Sequence, residues 1–582
     1  MRDVKVLLII VLLVTGPGIC LAGNMSVVNT VHNLSASGPG EIRALHETRV
    51  CVFCHTPHNA APSTPLWNKN LEAVNYELYT SSTMKAMPGP PKGPSRLCLS
   101  CHDGTVALGD VLVPATDIST NIEKITSERR SYLGIDISND HPVSFSMNES
   151  YPNDELVSTI PSDLMFYGVD NIECSTCHDA HDNTFGKFLV MDNTSSTLCR
   201  KCHQPNGWNT ASHKLSTAVW NGSGSDPWPH TTHATVAENA CENCHTPHNA
   251  GGPKRLMNYQ REEENCFPCH NGNVAATDIR SRFLRPSHHR VEDTTIGDLS
   301  GSYHQTGESP VLLSGHVECL DCHNPHAATD RVAEPPTASG AMDLVSGIDR
   351  YGLAADPAAY EYEVCYKCHS TTNKVLPYIN RVIPENDFVK KFDPANPSYH
   401  PVVDIGKSLD VPSLGTIYIN TLTESSMIYC TDCHGDSDTN KAMGSDHRGP
   451  HGSNYIPILR EEYERTFGTP ESFSEYALCY RCHDRTSILS DVSFQKAVAT
   501  ARGGHSGHLA AGATCSVCHD PHGINDDGLT GDHTHLINFD TSYVTPATGQ
   551  TYPFFADNLS RSGSCTLTCH GREHTAVNSS YP

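Results

Sequence analysis

The sequence predicts a chain that is mostly irregular, with short α-helices and little β structure, built as six repeats around a closely packed row of prosthetic groups. Three observations predict this. A Cys-x-x-Cys-His spacing recurs from end to end and accounts for nearly all of the 25 cysteines. Sustained helical or alternating apolar periodicity is scarce in a chain that is 37% hydrophobic and carries 42 Gly and 38 Pro, so a conventional side-chain core has little to be made from. The recurring sites also alternate in kind, which marks a repeat of two sites.

The densest stretch runs from His233 to His270 and holds two of these sites, Cys241/Cys244-His245 and Cys266/Cys269-His270. C-x-x-C-H is the covalent attachment signature of c-type haem. The two thiols add to the vinyl groups on one porphyrin edge, and the histidine that follows coordinates the iron. The other regular sites are Cys51/Cys54-His55, Cys98/Cys101-His102, Cys174/Cys177-His178 and Cys199/Cys202-His203. They continue with Cys319/Cys322-His323, Cys365/Cys368-His369, Cys430/Cys433-His434, Cys479/Cys482-His483 and Cys515/Cys518-His519. A twelfth, Cys565-Thr-Leu-Thr-Cys569-His570, carries one extra residue. Together they use every cysteine except Cys20. Disulfides need no histidine, and structural zinc does not need one after every second cysteine. The expected cofactor is therefore twelve covalent haem c groups with their iron.

At the start, Arg2 and Lys5 precede an apolar run from Val6 to Val14 and a small-residue exit at Ala22-Gly23. The run is too short to span a bilayer and reads as a secretory signal peptide over residues 1–22. Cleavage there removes Cys20; the alternative makes Cys20 a lipid-bearing first residue, although Pro17-Gly18-Ile19 is a poor match for that signal. No other segment is apolar enough to cross a membrane. The remaining chain divides into haem pairs at 23–130, 131–211, 212–285, 286–395, 396–500 and 501–582. About 48 residues per haem is far below an ordinary domain, so close haem packing is expected.

Odd-numbered sites carry a second histidine three residues on: His58, His181, His248, His326 and His522. Pro247 disfavours helical geometry at Thr246, so His248 is better placed to reach a second haem than its own. The ninth site lacks this residue, and His451 in Gly449-Pro450-His451-Gly452 reads as its displaced equivalent. Even-numbered sites have no such partner. A histidine in a recurring setting opens the following unit instead: His141, His213, His289, His400 and His505. Each is expected to serve the even site before it. With His574 the second ligands number twelve, one per iron, histidine being a standard axial ligand of haem. His46, His233, His316 and His508 compete for these roles. At the chain ends, His32 and His46 precede every site, while His574 must bend sharply to reach the iron of His570. A head-to-tail homopolymer, in which His32 or His46 serves the last iron of a neighbouring copy, is one expectation; a monomer using His574 is the other.

Cys241-Glu-Asn-Cys-His-Thr-Pro-His-Asn-Ala250, Cys98-Leu-Ser-Cys-His-Asp-Gly104 and Asn139-Asp-His-Pro-Val-Ser-Phe145 resemble the doubled C-x-x-C-H family of multihaem cytochromes c. The resemblance covers essentially the whole chain after residue 22. It implies kinship with periplasmic and outer-surface cytochromes of metal-reducing bacteria, some of which form conducting filaments. It departs from the family pattern at the ninth and twelfth sites.

The expected role is an electron conduit of bis-histidine haems, in the periplasm or at the cell surface. The expected partners are other redox proteins and extracellular metal acceptors. All twelve motifs end in histidine, and further histidines can close the opposite faces. That argues against a multihaem reductase, which needs an open iron; such an enzyme, or a filament or porin-conduit subunit, is the alternative. A net charge of −25 argues against nucleic acid and fits a basic redox partner or metal cations. The acidic loop at 525–532 is a weak calcium candidate without EF-hand spacing. No phosphate loop or serine triad stands out, and no catalytic residue is expected.

Overall fold

The computed structural model describes residues 26–61, 66–71, 74–292, 317–370, 378–414, 422–437, 449–493, 504–559 (except 527 and 529) and 561–576, with the backbone of 580 and 581. The expected signal peptide with Cys20, and His316, lie outside the described residues, as does part of the 525–532 loop.

Regular structure is sparse. The two longest helices are Gly93–His102 and Glu361–His369, of 10 and 9 residues. Both end on the histidine of an attachment motif. The first begins with Pro94 in its opening turn, where the missing amide costs nothing. It stops because Gly104 takes φ +72°, and a Cβ there would lie 2.6 Å from the Tyr132 ring. Most strands are two-residue ladders. The exception is a five-stranded sheet near the C-terminus, in which Ser562–Cys569 pairs with Val544–Thr545, Phe554–Leu559, Arg572–His574 and Ser580–Tyr581. Among the described residues no helix is long and apolar enough to cross a membrane.

The chain forms two compact units. One comprises residues 1–153, 157–202 and 247–249; the other comprises 154–156, 203–246 and 250–582. Neither has one continuous core. In the first, Ala44, Val52, Phe53, Val111 and Ile118 form a small buried cluster. In the second, one cluster gathers Tyr362, Tyr366, Phe392, Tyr399, Val402 and Val403, and another Tyr476, Tyr480 and Leu509. Val517 anchors a third with Phe539, Val544 and Leu567. Phe53, Tyr366, Tyr480 and Val517 are the residues between paired cysteines, and each is at most 2% exposed. At these four motifs an intervening residue thus buries its side chain, each contributing on the order of 1.5–3 kcal/mol.

Candidate haem-binding array

Locally, the eleven regular motifs are turns or helix ends. The amide of the motif histidine bonds the carbonyl of the first cysteine at His55, His178, His245, His270, His323, His434, His483 and His519, over 2.8–3.0 Å. This single turn puts both thiols and the imidazole at one place on the chain. The twelfth motif differs. Cys565 and Cys569 lie in the strand Ser562–Cys569, where four residues span up to about 13 Å if fully extended. The structure does not give this motif the turn of the other eleven.

The thiols of successive motifs approach one another. In the first unit Cys54 lies within electrostatic reach of Cys101, and Cys177 of Cys202, while the thiols of Cys98 and Cys174 are hydrogen-bonded. In the second unit Cys266 contacts Cys319, Cys365 contacts Cys430 and Cys479 contacts Cys515. Between these contacts Cys269 senses Cys244, Cys322 senses Cys365, Cys433 senses Cys482, and Cys518 senses Cys565. Within each unit the motifs are therefore neighbours in space in the order they have along the chain.

Imidazoles from distant segments face one another at a recurring distance. Ring centres are 6.1 Å apart for His55 and His181, His178 and His248, and His245 and His326. They are 6.2 Å apart for His323 and His451 and 6.0 Å for His434 and His522. His102 faces His32 at 6.3 Å, His270 faces His213 at 6.1 Å, and His483 faces His400 at 6.5 Å. His519 faces His505 at 6.2 Å. Burial, and then the neighbouring His289, hold His369 down to about 4. Two imidazoles on opposite faces of one iron need about 6 Å between ring centres, from about 2 Å per metal–nitrogen bond and roughly 1 Å from nitrogen to centre. The residues fit the group.

Where the expectation put each opening histidine at the even-numbered motif before it, His213 lies by His270 and His400 by His483, the even-numbered motifs of their own units, while His505 lies by His519 of the odd-numbered eleventh motif. The reason is where the opening histidine is anchored. Nδ1 of His32, His213, His289 and His400 bonds the carbonyl of Ala180, Pro325, Pro450 and Pro521, the residue just before the next unit's second histidine. The amide of His141 bonds Pro247 in the same way. The His32 ring stacks on Phe188 at 4.1 Å and faces His102. His46 and His58 are exposed. His574 lies 5.6 Å from His570 and 6.5 Å from His508, while His233 is half-buried at the head of the turn leading to Cys241.

Electrostatics suit metal binding. Burial lowers His434 and His519 to about 3, and His270, His326 and His483 to about 4, keeping each ring in the neutral form that binds metal. Motif histidines are oriented through Nδ1 by backbone carbonyls, as at His102 to Ser131, His178 to Lys187 and His245 to Arg255.

Polar ties absent from the sequence reading join successive motifs. Ser95 accepts the Cys174 amide, Glu262 accepts the Leu320 amide at 2.8 Å, and Glu361 accepts the amide and hydroxyl of Thr431. Burial and then Glu318 push Glu262 up to about 8. Because its folded value exceeds the ordinary 4.5, the folded chain holds the extra proton between the two. Stability is therefore expected to fall as pH rises through that window, by at most about 1.4 kcal/mol per pH unit. Glu262→Gln should make this decline shallower, read as a smaller fall in denaturation midpoint from about pH 5 to about pH 8 than in the parent, with Glu263 and Glu361, each raised to about 7, carrying the remainder. A parallel decline in the variant would refute the assignment.

Residues 233–391 match the family described as outer membrane cytochrome MtrC/MtrF-like, domains II/IV, and residues 168–207 match the doubled CXXCH motif family. The multiheme cytochrome MtrA of Shewanella baltica (strain OS185) is 24% identical over 211 residues, covering 34% of this chain. The match spans 42% of that relative's length. With the paired motifs and facing imidazoles, these likenesses define the class the chain resembles: multihaem c-type cytochromes, whose paired CXXCH motifs bind haem covalently. The likeness to the MtrC/MtrF-like domains and to MtrA each covers only part of the chain.

Proposed function

We propose that the chain binds twelve haem c groups, one per attachment motif, and conducts electrons through them in sequence order within each compact unit. The observation that carries this reading is the set of facing histidines, with ring centres 6.0–6.5 Å apart at the regular motifs. In this reading His55/His181, His178/His248, His245/His326, His323/His451 and His434/His522 hold the odd-numbered irons. His102/His32, His270/His213, His369/His289 and His483/His400 hold even-numbered ones, and His519/His505 holds the eleventh. The bound iron supplies one-electron redox chemistry. The protein's part is to fix axial rings, bring porphyrin edges together through adjoining thiols, and close the coordination sphere against substrates.

The match to outer membrane cytochromes supports an exported position at the cell surface or in the periplasm. Respiration to extracellular metals or other external acceptors, in concert with other redox proteins, fits that position and the charge of −25, which steers basic partners and cations. The intact mass of the mature holoprotein should exceed that of its polypeptide by twelve haem masses. Eleven would assign the deficit to Cys565/Cys569, whose strand geometry departs from the rest, and fewer would overturn the reading.

A further inference from the structure

The facing imidazoles fall into two geometric classes. Around five odd-numbered motifs the ring planes lie within 35° of parallel, at 16°, 35°, 22°, 23° and 8° for His55/His181, His178/His248, His245/His326, His323/His451 and His434/His522, while His505/His519 at the eleventh lies between the classes at 42°. Around even-numbered motifs they cross, at 78°, 81° and 59° for His32/His102, His213/His270 and His400/His483.

The support behind the rings differs in parallel. In the crossed class the second histidine meets a neutral backbone carbonyl, as described above. In the parallel class three second histidines meet a buried carboxylate. Asp140 Oδ1 lies 3.0 Å from Nδ1 of His248, Asp436 Oδ2 lies 3.8 Å from Nδ1 of His451, and Asp520 Oδ1 lies 3.7 Å from Nδ1 of His522. The three carboxylate side chains are 5%, 0% and 3% exposed. Backbone amides hold each in place: Asn249 on Asp140, Gly452 on Asp436 and His522 on Asp520. At His326 the corresponding residue is the uncharged Asn324, whose Oδ1 accepts the His326 amide. At His181 it is Asp179, half exposed to water.

We propose that Asp140, Asp436 and Asp520 are positioning residues that set the potentials of the irons held by His178/His248, His323/His451 and His434/His522 below those of their crossed-ring neighbours. The proposal rests on those histidine pairs being axial ligands. Asp140, at hydrogen-bond distance, draws the Nδ1 proton of His248 toward itself and makes the opposite nitrogen a stronger donor, while Asp436 and Asp520 act across 3.8 and 3.7 Å through their charge; both effects favour ferric over ferrous iron. Burial strengthens the effect, because a fixed negative charge in low dielectric is poorly screened. Asp520 shares its charge with Lys391 at 2.8 Å, and Asp436 has Arg282 at 3.9 Å. Asp140 is paired with His248 alone among the described basic side chains, so its influence is the largest of the three. The row then carries low steps at the third, seventh and ninth haems instead of descending evenly.

The test is an EPR-monitored redox titration of the full-length holoprotein. Asp140→Asn keeps an acceptor for His248 and Asn249 and removes the charge. One low-spin iron should move to more positive potential by about tenfold or more in its reduction equilibrium, equivalent to about 59 mV for one electron. Asn324→Asp places a carboxylate behind His326, and should move a different iron in the opposite direction. Haem count and low-spin signals should stay as in the parent. Superimposable titrations for both variants, a negative shift in Asp140→Asn or a positive shift in Asn324→Asp would overturn the proposal. If His248→Ala exposes one high-spin iron while the Asp140→Asn titration is unchanged, the ligand assignment stands and this proposal alone fails. If His248→Ala leaves every iron low-spin, the underlying ligand reading fails.

Discussion

Replacing His248 by alanine is expected to turn one iron from low-spin to high-spin and to open it to carbon monoxide. The ring lies 6.1 Å from that of His178. His178 itself stays oriented, because its Nδ1 bonds the Lys187 carbonyl and its amide bonds Cys174. The remaining axial ligand is therefore retained, and the vacated face becomes a site for a small neutral ligand. His32→Ala should do the same at the iron of His102, which separates an internal role for His32 from one in a neighbouring copy. His58→Ala is the control: that side chain is exposed, and its substitution should leave the spectra unchanged. Carbon monoxide difference spectra of the reduced proteins provide the measurement. Fully low-spin spectra in both His248→Ala and His32→Ala would contradict the pairing.

Preventing attachment at the eighth motif should have the largest effect on stability. In Cys365→Ala/Cys368→Ala the chain loses a planar group larger than any side chain from beside Tyr362, Tyr366, Phe392, Tyr399, Val402 and Val403. Deleting a single large aromatic side chain costs about 3–5 kcal/mol, and the void left by a porphyrin is bigger. The surrounding clusters are small and separate, so they offer little to close over it. Loss of folding over the neighbourhood of Glu361–His369 is expected, together with loss of the axial support that Glu361 transmits to Thr431. Limited proteolysis with haem staining reads this directly. Protection equal to that of the parent would show that side chains, not haem, form the core there.

Attachment was legible in the sequence because it is local. Two thiols and an imidazole within five residues must meet one porphyrin edge, and a single turn achieves it at eleven motifs. The scarcity of regular structure was legible for a related reason: without periodic apolar patterning no long helix or sheet had a face to bury. The twelfth motif was visible as a departure, but its strand geometry was not, since that depends on pairing with Phe554–Leu559 and Arg572–His574.

The second histidines were legible as a set and not as pairs. Recurring contexts picked out His213, His400 and His451, while which motif each opening histidine lies beside depends on the anchoring of His213 on Pro325 and His400 on Pro521. Those bonds join residues more than a hundred positions apart, and no spacing rule reaches that far. The carboxylates were invisible for the same reason. Asp140 stands 108 residues before His248, and only folding brings its oxygen within 3.0 Å. The sequence by itself determined how haem is attached, because covalent chemistry reads neighbours along the chain. The tertiary structure decided which imidazoles face each other and which charges stand behind them, because those contacts depend on how distant segments pack.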